Sequence, residues 1–205
     1  MSSARDNLMY WKTARVWIPY NSFMSLLIDT TMESQAGSAS AAVTIVSGPA
    51  ELALIPMSSD DEVHTLIPIP WDLDRDEKVL ARLYFVHAST DADANIDWIV
   101  GSSFFSKQAT LPELQGGSEN DVAFAAHLCS TTDDSIEVTT WTDLGWDDYI
   151  SDTDVLAGLA IELQDDGAST GDETEFMGIE LAYTRKATQE SPGSTSADLL
   201  ENPAV

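Results

Sequence analysis

Two runs of alternating acidic residues are the strongest candidates for binding a metal ion. The first places an oxygen ligand at every second position, as at the start of a calcium loop: Asp91, Asp93, Asn95 and Asp97. Ile96 then stands where such a loop needs Gly, and Ser102 where it needs a bidentate Glu. The second run consists of Asp72, Asp74 and Asp76. It fails in the same way, because Glu77 stands at the Gly position and Leu83 at the Glu position. With 35 acidic residues, near-matches arise by chance. We therefore predict solvated acidic loops and no metal, with a calcium loop as the alternative.

Catalytic chemistry has little support in the residue pattern. His64, His87 and His127 each stand alone within an apolar stretch, without His-x-x-x-His spacing, and are expected to be structural. There is no Gly-x-Ser-x-Gly motif and no glycine-rich phosphate loop. Cys129 is the single cysteine and is predicted to be a small buried hydrophobe. Two carboxylates could meet for glycoside hydrolysis, but nothing singles out a pair. The sequence predicts a protein that is not an enzyme and binds no cofactor.

Aromatic residues point to binding instead. Trp98 lies on the apolar face of an alternating strand and is predicted to be core. Other aromatic residues lie near the N-terminus, at strand ends or in loops, where they would contact neighbouring subunits or stack on sugars. The predicted interface residues are Tyr10, Trp11, Arg15, Trp17, Trp71, Trp141 and Trp146.

The charge of the chain restricts its partners. The formal net charge is −26, from 35 acidic and 9 basic residues, which argues against nucleic acid and against anionic membranes. Such a surface indicates adaptation to high salt, or a need to keep neighbouring copies soluble at high local concentration. The other interpretation is simple solubility through like-charge repulsion. Residues 1–57 carry three basic and four acidic residues, a net of −1. We therefore predict that the N-terminal arm and the first strands face the partner, with the acidic loops facing solvent.

The elements that would position these residues are short strands. Residues 79–88 and 96–105 are predicted to form a central antiparallel pair, and residues 156–163 and 176–184 a final hairpin. Residues 144–154 are expected to form a capping loop or a single helical turn. Nine or ten such strands predict an all-β fold, an antiparallel two-sheet β-sandwich of jelly-roll type. The predicted organisation is an N-terminal arm (1–9), a sandwich domain (10–186) and a C-terminal tail (187–205), both extensions being flexible or ordered by a partner.

Targeting signals are not evident. No apolar run approaches the roughly 20 residues that a membrane span needs. The N-terminal residues lack the apolar core and the cleavage site of a signal peptide. The sequence therefore predicts synthesis in a cytoplasm.

Six segments, in this order, carry a resemblance to a known family: 16–23 (VWIPYNSF), 67–71 (IPIPW), 81–89 (ARLYFVHAS), 96–100 (IDWIV), 154–161 (DVLAGLAI) and 176–183 (FMGIELAY). The pattern resembles small β-sandwich structural proteins of tailed bacteriophages, of the capsid decoration, cement or head-fibre type. The resemblance extends over residues 10–184, except that residues 20–42 do not align with the family.

The resemblance implies a non-enzymatic virion protein. Such a protein would be made in the host cytoplasm and would sit on the capsid surface as a homotrimer that clamps subunits of the major capsid protein. The first alternative is a carbohydrate-binding receptor module of a tail or head fibre that uses Trp71, Trp141 or Trp146 as its platform. The second alternative is a hydrolase on a jelly-roll scaffold.

Overall fold

The fold is known from a computed structural model, which describes residues 13–23, 44–46, 52–87, 95–107, 120–130, 135–165 and 174–186. These residues form twelve β-strands and two 3₁₀ turns, Tyr20–Ser22 and Trp146–Asp148, and contain no α-helix. The strands are β1 (Thr13–Pro19), β2 (Thr44–Val46), β3 (Leu52–Met57), β4 (Asp61–Pro68), β5 (Val79–His87), β6 (Asn95–Ser106), β7 (Asn120–Ala123), β8 (His127–Leu128), β9 (Ser135–Val138), β10 (Thr142–Asp143), β11 (Asp154–Asp165) and β12 (Thr174–Thr184).

The strands form two sheets, and every described pairing is antiparallel. Sheet 1 has the order β10-β5-β12-β3-β2, with β9 also pairing with β5 and β1 also pairing with β12. Sheet 2 has the order β4-β11-β6-β7, with β8 also pairing with β6. The inward faces of the two sheets bury one continuous apolar core. The predicted all-β, two-sheet sandwich is therefore confirmed.

The connections between the sheets give the jelly-roll order. From β3 to β6 each strand crosses to the other sheet, β7 and β8 stay in sheet 2, and β9 and β10 return to sheet 1. The chain then crosses to β11 and back to β12. The facing layers, β3-β12-β5-β9/β10 and β4-β11-β6-β7, have the strand order of a jelly roll. The predicted arm and tail lie outside the described residues.

Both predicted hairpins are wrong in their pairing, although their strands exist. β5 pairs with β12, and β6 pairs with β11, so each expected hairpin is split between the two sheets. Phe85 of β5 and Trp98 of β6 instead meet across the core, with ring centroids 5.4 Å apart. Alternation of period two shows which side chains are buried. Two consecutive strands show the same alternation whether they pair within one sheet or face each other across the core. The pattern therefore could not show that β5 and β6 lie in different sheets.

Trp98 lies in this core, as predicted. It is fully buried and packs against Phe85 and Phe176, and the Phe176 ring centroid lies 6.1 Å away. Cys129 is also buried, and burial raises the pKa of its thiol to about 12. The thiol is therefore protonated near neutral pH and behaves as the predicted small hydrophobe.

The predicted single helical turn within residues 144–154 is present as Trp146–Asp148. Gly145 precedes it with φ 63°, a left-handed conformation that a side chain would disfavour. Within the described part of the chain, no helix is long and apolar enough to cross a membrane.

Candidate partner-binding face

The outer surface of sheet 1 carries a row of large polar and aromatic side chains on β1, β12 and β5. In the β-strand register Glu180 of β12 lies directly opposite Trp17 of β1 on one side and opposite Arg82 of β5 on the other. Because side chains alternate along a strand, Arg15 and Tyr84 fall on the same outer face, two residues from Trp17 and Arg82. Three segments distant in sequence therefore supply one surface.

Glu180 is the hub of the polar contacts on this surface. Arg82 brings Nε and Nη2 to 2.7 and 2.6 Å from Glu180 Oε2. The hydroxyl of Tyr84 donates to the same oxygen at 2.8 Å, and Arg15 Nη1 lies 3.5 Å from Oε1. Burial alone would raise the pKa of Glu180, but the hydrogen bonds from Tyr84 and Arg82 outweigh it and lower the pKa. The carboxylate is therefore held ionised at neutral pH, with its charge compensated locally.

Both guanidinium groups of this surface lie over aromatic rings. The guanidinium carbon of Arg82 lies 4.6 Å from the ring centroid of Trp141 and 5.1 Å from that of Tyr84. Arg15 also lies over Trp141, at 5.5 Å. Trp17 meets Tyr84 edge to face, with centroids 5.0 Å apart and an interplanar angle of 88°. Cation–π contacts and edge-to-face rings hold these side chains in one geometry.

We call this surface the cation–aromatic face: Arg15, Trp17, Arg82, Tyr84, Trp141 and Glu180. Its two guanidinium groups and one carboxylate give it a formal charge of +1, on a chain of net charge −26. Trp17 remains 47% exposed despite its contact with Tyr84. The carboxylate of Glu180 is engaged by two cations and a phenol.

The structure separates the predicted interface residues. Arg15, Trp17 and Trp141 come together on the cation–aromatic face, whereas Trp71 is 84% exposed and lines a cavity with Asp72 and Arg185. Tyr10 and Trp11 lie outside the described residues.

Trp146 is a correction, because its side chain cannot reach a partner. It is only 1% exposed, its Nε1 donates to Ser102 Oγ at 2.9 Å, and its ring meets Phe104 edge to face. The 3₁₀ turn directs this loop tryptophan into the space between the sheets. The ring therefore offers no exposed platform on the protein surface.

Sequence reasoning missed Arg82, Tyr84 and Glu180. The alternation in ARLYFV already placed Arg82 and Tyr84 on one outward face of β5. Glu180 lies between Trp17 and Arg82 because β12 pairs with both β1 and β5. A local sequence pattern does not show which strands pair.

The histidines make structural contacts. His127 Nε2 lies 3.0 Å from Glu137 Oε2, His64 Nε2 lies 3.3 Å from Glu62, and His87 Nδ1 lies 3.2 Å from Thr174 Oγ1. Among the described residues no three His, Cys, Asp or Glu side chains are grouped so as to hold a metal ion. Asp91 and Asp93 of the first acidic run lie outside those residues.

Comparison with known proteins gives no relative from which a site could be transferred. No protein-family model matches this chain, and no curated protein matches it. The function of the cation–aromatic face must therefore be argued from its own geometry.

Proposed function

We propose that this protein is a non-enzymatic structural protein that binds a partner protein through its cation–aromatic face. The observation that carries the proposal is the cluster of two tryptophans, one tyrosine and two arginines on one sheet surface. Trp, Tyr and Arg are the residues that most often dominate the binding energy of protein interfaces. Their mutual contacts fix the side chains in advance, so less conformational entropy is lost when a partner binds.

The charge distribution supports docking by this face. A chain of −26 repels most acidic surfaces, and that repulsion is smallest where its own cations are concentrated. Arg15 adds a guanidinium whose side chain is mostly exposed beside Trp17. A partner surface that offers carbonyl or carboxylate oxygens together with an apolar patch would complement both.

For the identity of the partner, the proposal rests on the resemblance to phage decoration and cement proteins. The protein would sit on the capsid surface of a virion, bind the major capsid protein and stabilise the head as a homotrimer. The two-sheet sandwich is the fold that this resemblance implies. β1, which supplies Arg15 and Trp17, lies in the N-terminal part of the chain, where the net charge is nearly zero.

Binding to capsids that lack the protein tests the proposal. Trp17→Ala should weaken co-sedimentation with such capsids at least about tenfold, as expected for an interface hot spot. Tyr149→Ala is the matched control, because Tyr149 is an aromatic residue with the same exposure, 47%, outside the cation–aromatic face. Equal loss in both variants, or no loss in either, would contradict docking by this face.

Carbohydrate binding is the second candidate, and one observation favours it. Trp71 is 84% exposed and shares the rim of a cavity with Asp72 and Arg185, a ring flanked by polar groups as sugar platforms require. Trp141 suits a sugar less well, because the guanidinium groups of Arg15 and Arg82 already lie over its ring. Glycan-array binding that Trp71→Ala abolishes and Trp17→Ala leaves intact would support this candidate over the first.

A further inference from the structure

A cavity of about 670 Å³ opens between the two sheets, beside β1 and β4. In the described residues β1 pairs only with β12, and β4 only with β11, so each is an outer strand of its sheet. Thr65 Oγ1 of β4 donates to the carbonyl oxygen of Ser22 at 2.6 Å, which joins β4 to the turn after β1. The cavity thus lies at one open side of the sandwich.

The walls of this cavity are apolar. Val16 of β1, Ile67 of β4, Val79 of β5 and Leu181 of β12 all line it, and all are aliphatic. Protein interiors are close-packed and rarely leave a space much larger than one water molecule. A volume of this size lies instead in the range of small-molecule pockets, roughly 300–1,000 Å³. Among the residues that the structure describes, no side chain fills this space.

One polar group interrupts the apolar wall. Asp72 Oδ1 accepts a hydrogen bond from the hydroxyl of Tyr183 at 3.0 Å, and Arg185 Nε lies 3.1 Å from Asp72 Oδ2. The carboxylate and the guanidinium neutralise each other, so this group offers hydrogen bonds without a net charge. Trp71 adds a largely exposed ring at the rim.

We propose that this cavity binds a neutral amphipathic small molecule, with an alkyl body against the aliphatic walls and a hydroxyl head at Asp72, Tyr183 and Arg185. An anionic head would meet a carboxylate already paired and a chain of net charge −26. A sugar would leave several hydroxyls unpaired against aliphatic side chains, which is costly. The inference does not depend on the proposed capsid attachment, because Val16 points to the opposite face of β1 from Arg15 and Trp17.

Calorimetric titration of the full chain with octanol tests the proposal. We expect saturable binding of octanol, binding of octanoate at least tenfold weaker at low salt, and no binding of maltohexaose. Val16→Trp should fill the mouth and weaken octanol binding tenfold or more. Val155→Trp is the matched control, because Val155 is a valine on a strand of sheet 2, is similarly exposed (45% against 36%) and lies outside the cavity lining.

Trp71→Ala keeps the test decisive if Val16→Trp does not fold, because removing so exposed a side chain leaves the core intact. It should weaken octanol binding at least threefold. Absence of saturable octanol binding to the wild-type chain would overturn the proposal. So would wild-type affinity in both Val16→Trp and Trp71→Ala, and so would binding of maltohexaose that octanol displaces.

Discussion

Glu180 and Arg82 lie directly opposite each other in the β12–β5 pair, and two guanidinium nitrogens of Arg82 approach a single carboxylate oxygen of Glu180. Both side chains are largely covered by their neighbours. The pair therefore joins the two central strands of sheet 1 and at the same time orients the rings of Tyr84 and Trp141.

Removing Arg82 should destabilise the fold as well as the face. Arg82→Ala leaves the partly buried carboxylate of Glu180 without its main partner, which we expect to lower the free energy of unfolding by about 1–3 kcal/mol. Urea denaturation measures this loss. In the double variant Arg82→Ala/Glu180→Ala the loss should be smaller than the sum of the two single losses. Strict additivity would show that the two side chains do not interact in solution.

Gly178 should tolerate no side chain. Its φ is 153°, and a Cβ atom there would lie 2.6 Å from the carbonyl oxygen of Ile18 and 2.7 Å from the Trp17 ring. Gly178→Ala should therefore cost more than about 1 kcal/mol of stability and shift Trp17, visible in near-ultraviolet circular dichroism. Gly158→Ala is the comparison, because its Cβ would meet only side-chain atoms of Phe105 and Leu66, at 3.2 Å or more. A larger loss at Gly158 than at Gly178 would refute this account.

Truncating Trp98 should cost far more stability than truncating Trp17. Trp98→Ala removes a fully buried ring that packs against Phe85 and Phe176, so about 3–5 kcal/mol of stability should be lost. Trp17→Ala, which truncates a half-exposed ring, should cost much less. Thermal melting of both variants compares the two positions. Similar melting temperatures would mean that β6 does not bury its ring in solution.

Acid should weaken the contact between the sheets at Glu137. His127 of β8, on sheet 2, lies 3.0 Å from Glu137 of β9, on sheet 1. Burial would raise the pKa of Glu137, but hydrogen bonds from His127, Ser135 and the Ser130 N–H outweigh it and lower the pKa. A lowered folded-state pKa contributes stability above the unfolded pKa, near 4.5, and that stability is lost as the pH falls through the folded value.

Melting temperatures between pH 7 and pH 3 measure that loss. Glu137→Gln cannot titrate at this position, so its melting temperature should fall less steeply below pH 4.5 than that of the wild type. Other lowered carboxyl pKa values, such as that of Asp154, act equally in both proteins. Parallel curves for wild type and variant would show that Glu137 does not contribute.

Salt should stabilise the protein. At a net charge of −26 the chain repels itself, and salt screens repulsions beyond roughly 10 Å at 0.1 M ionic strength. The melting temperature should rise between low salt and 1 M NaCl. Sucrose at equal osmolarity is the control, because it changes the solvent without screening charge. A rise as large in sucrose as in NaCl would assign the effect to excluded solute rather than to electrostatics.

Local sequence patterns were sufficient for everything that depends on neighbouring residues. Alternation in IDWIV placed Trp98 in the core. Turn residues and short alternating strands were enough to predict a two-sheet sandwich. Each such strand has one apolar face, and without amphipathic helices a second sheet is what covers it.

Only the tertiary structure decided which strands are neighbours. β5 and β6 face each other across the core instead of pairing, and β12 brings Glu180 between Trp17 and Arg82, more than 90 residues from either. Trp146 lies inward, where its indole donates a hydrogen bond to Ser102 of β6 and its ring packs against Phe104. Strand pairing and inter-sheet packing depend on contacts between segments that are distant in sequence. A local pattern shows only which face of each strand is apolar.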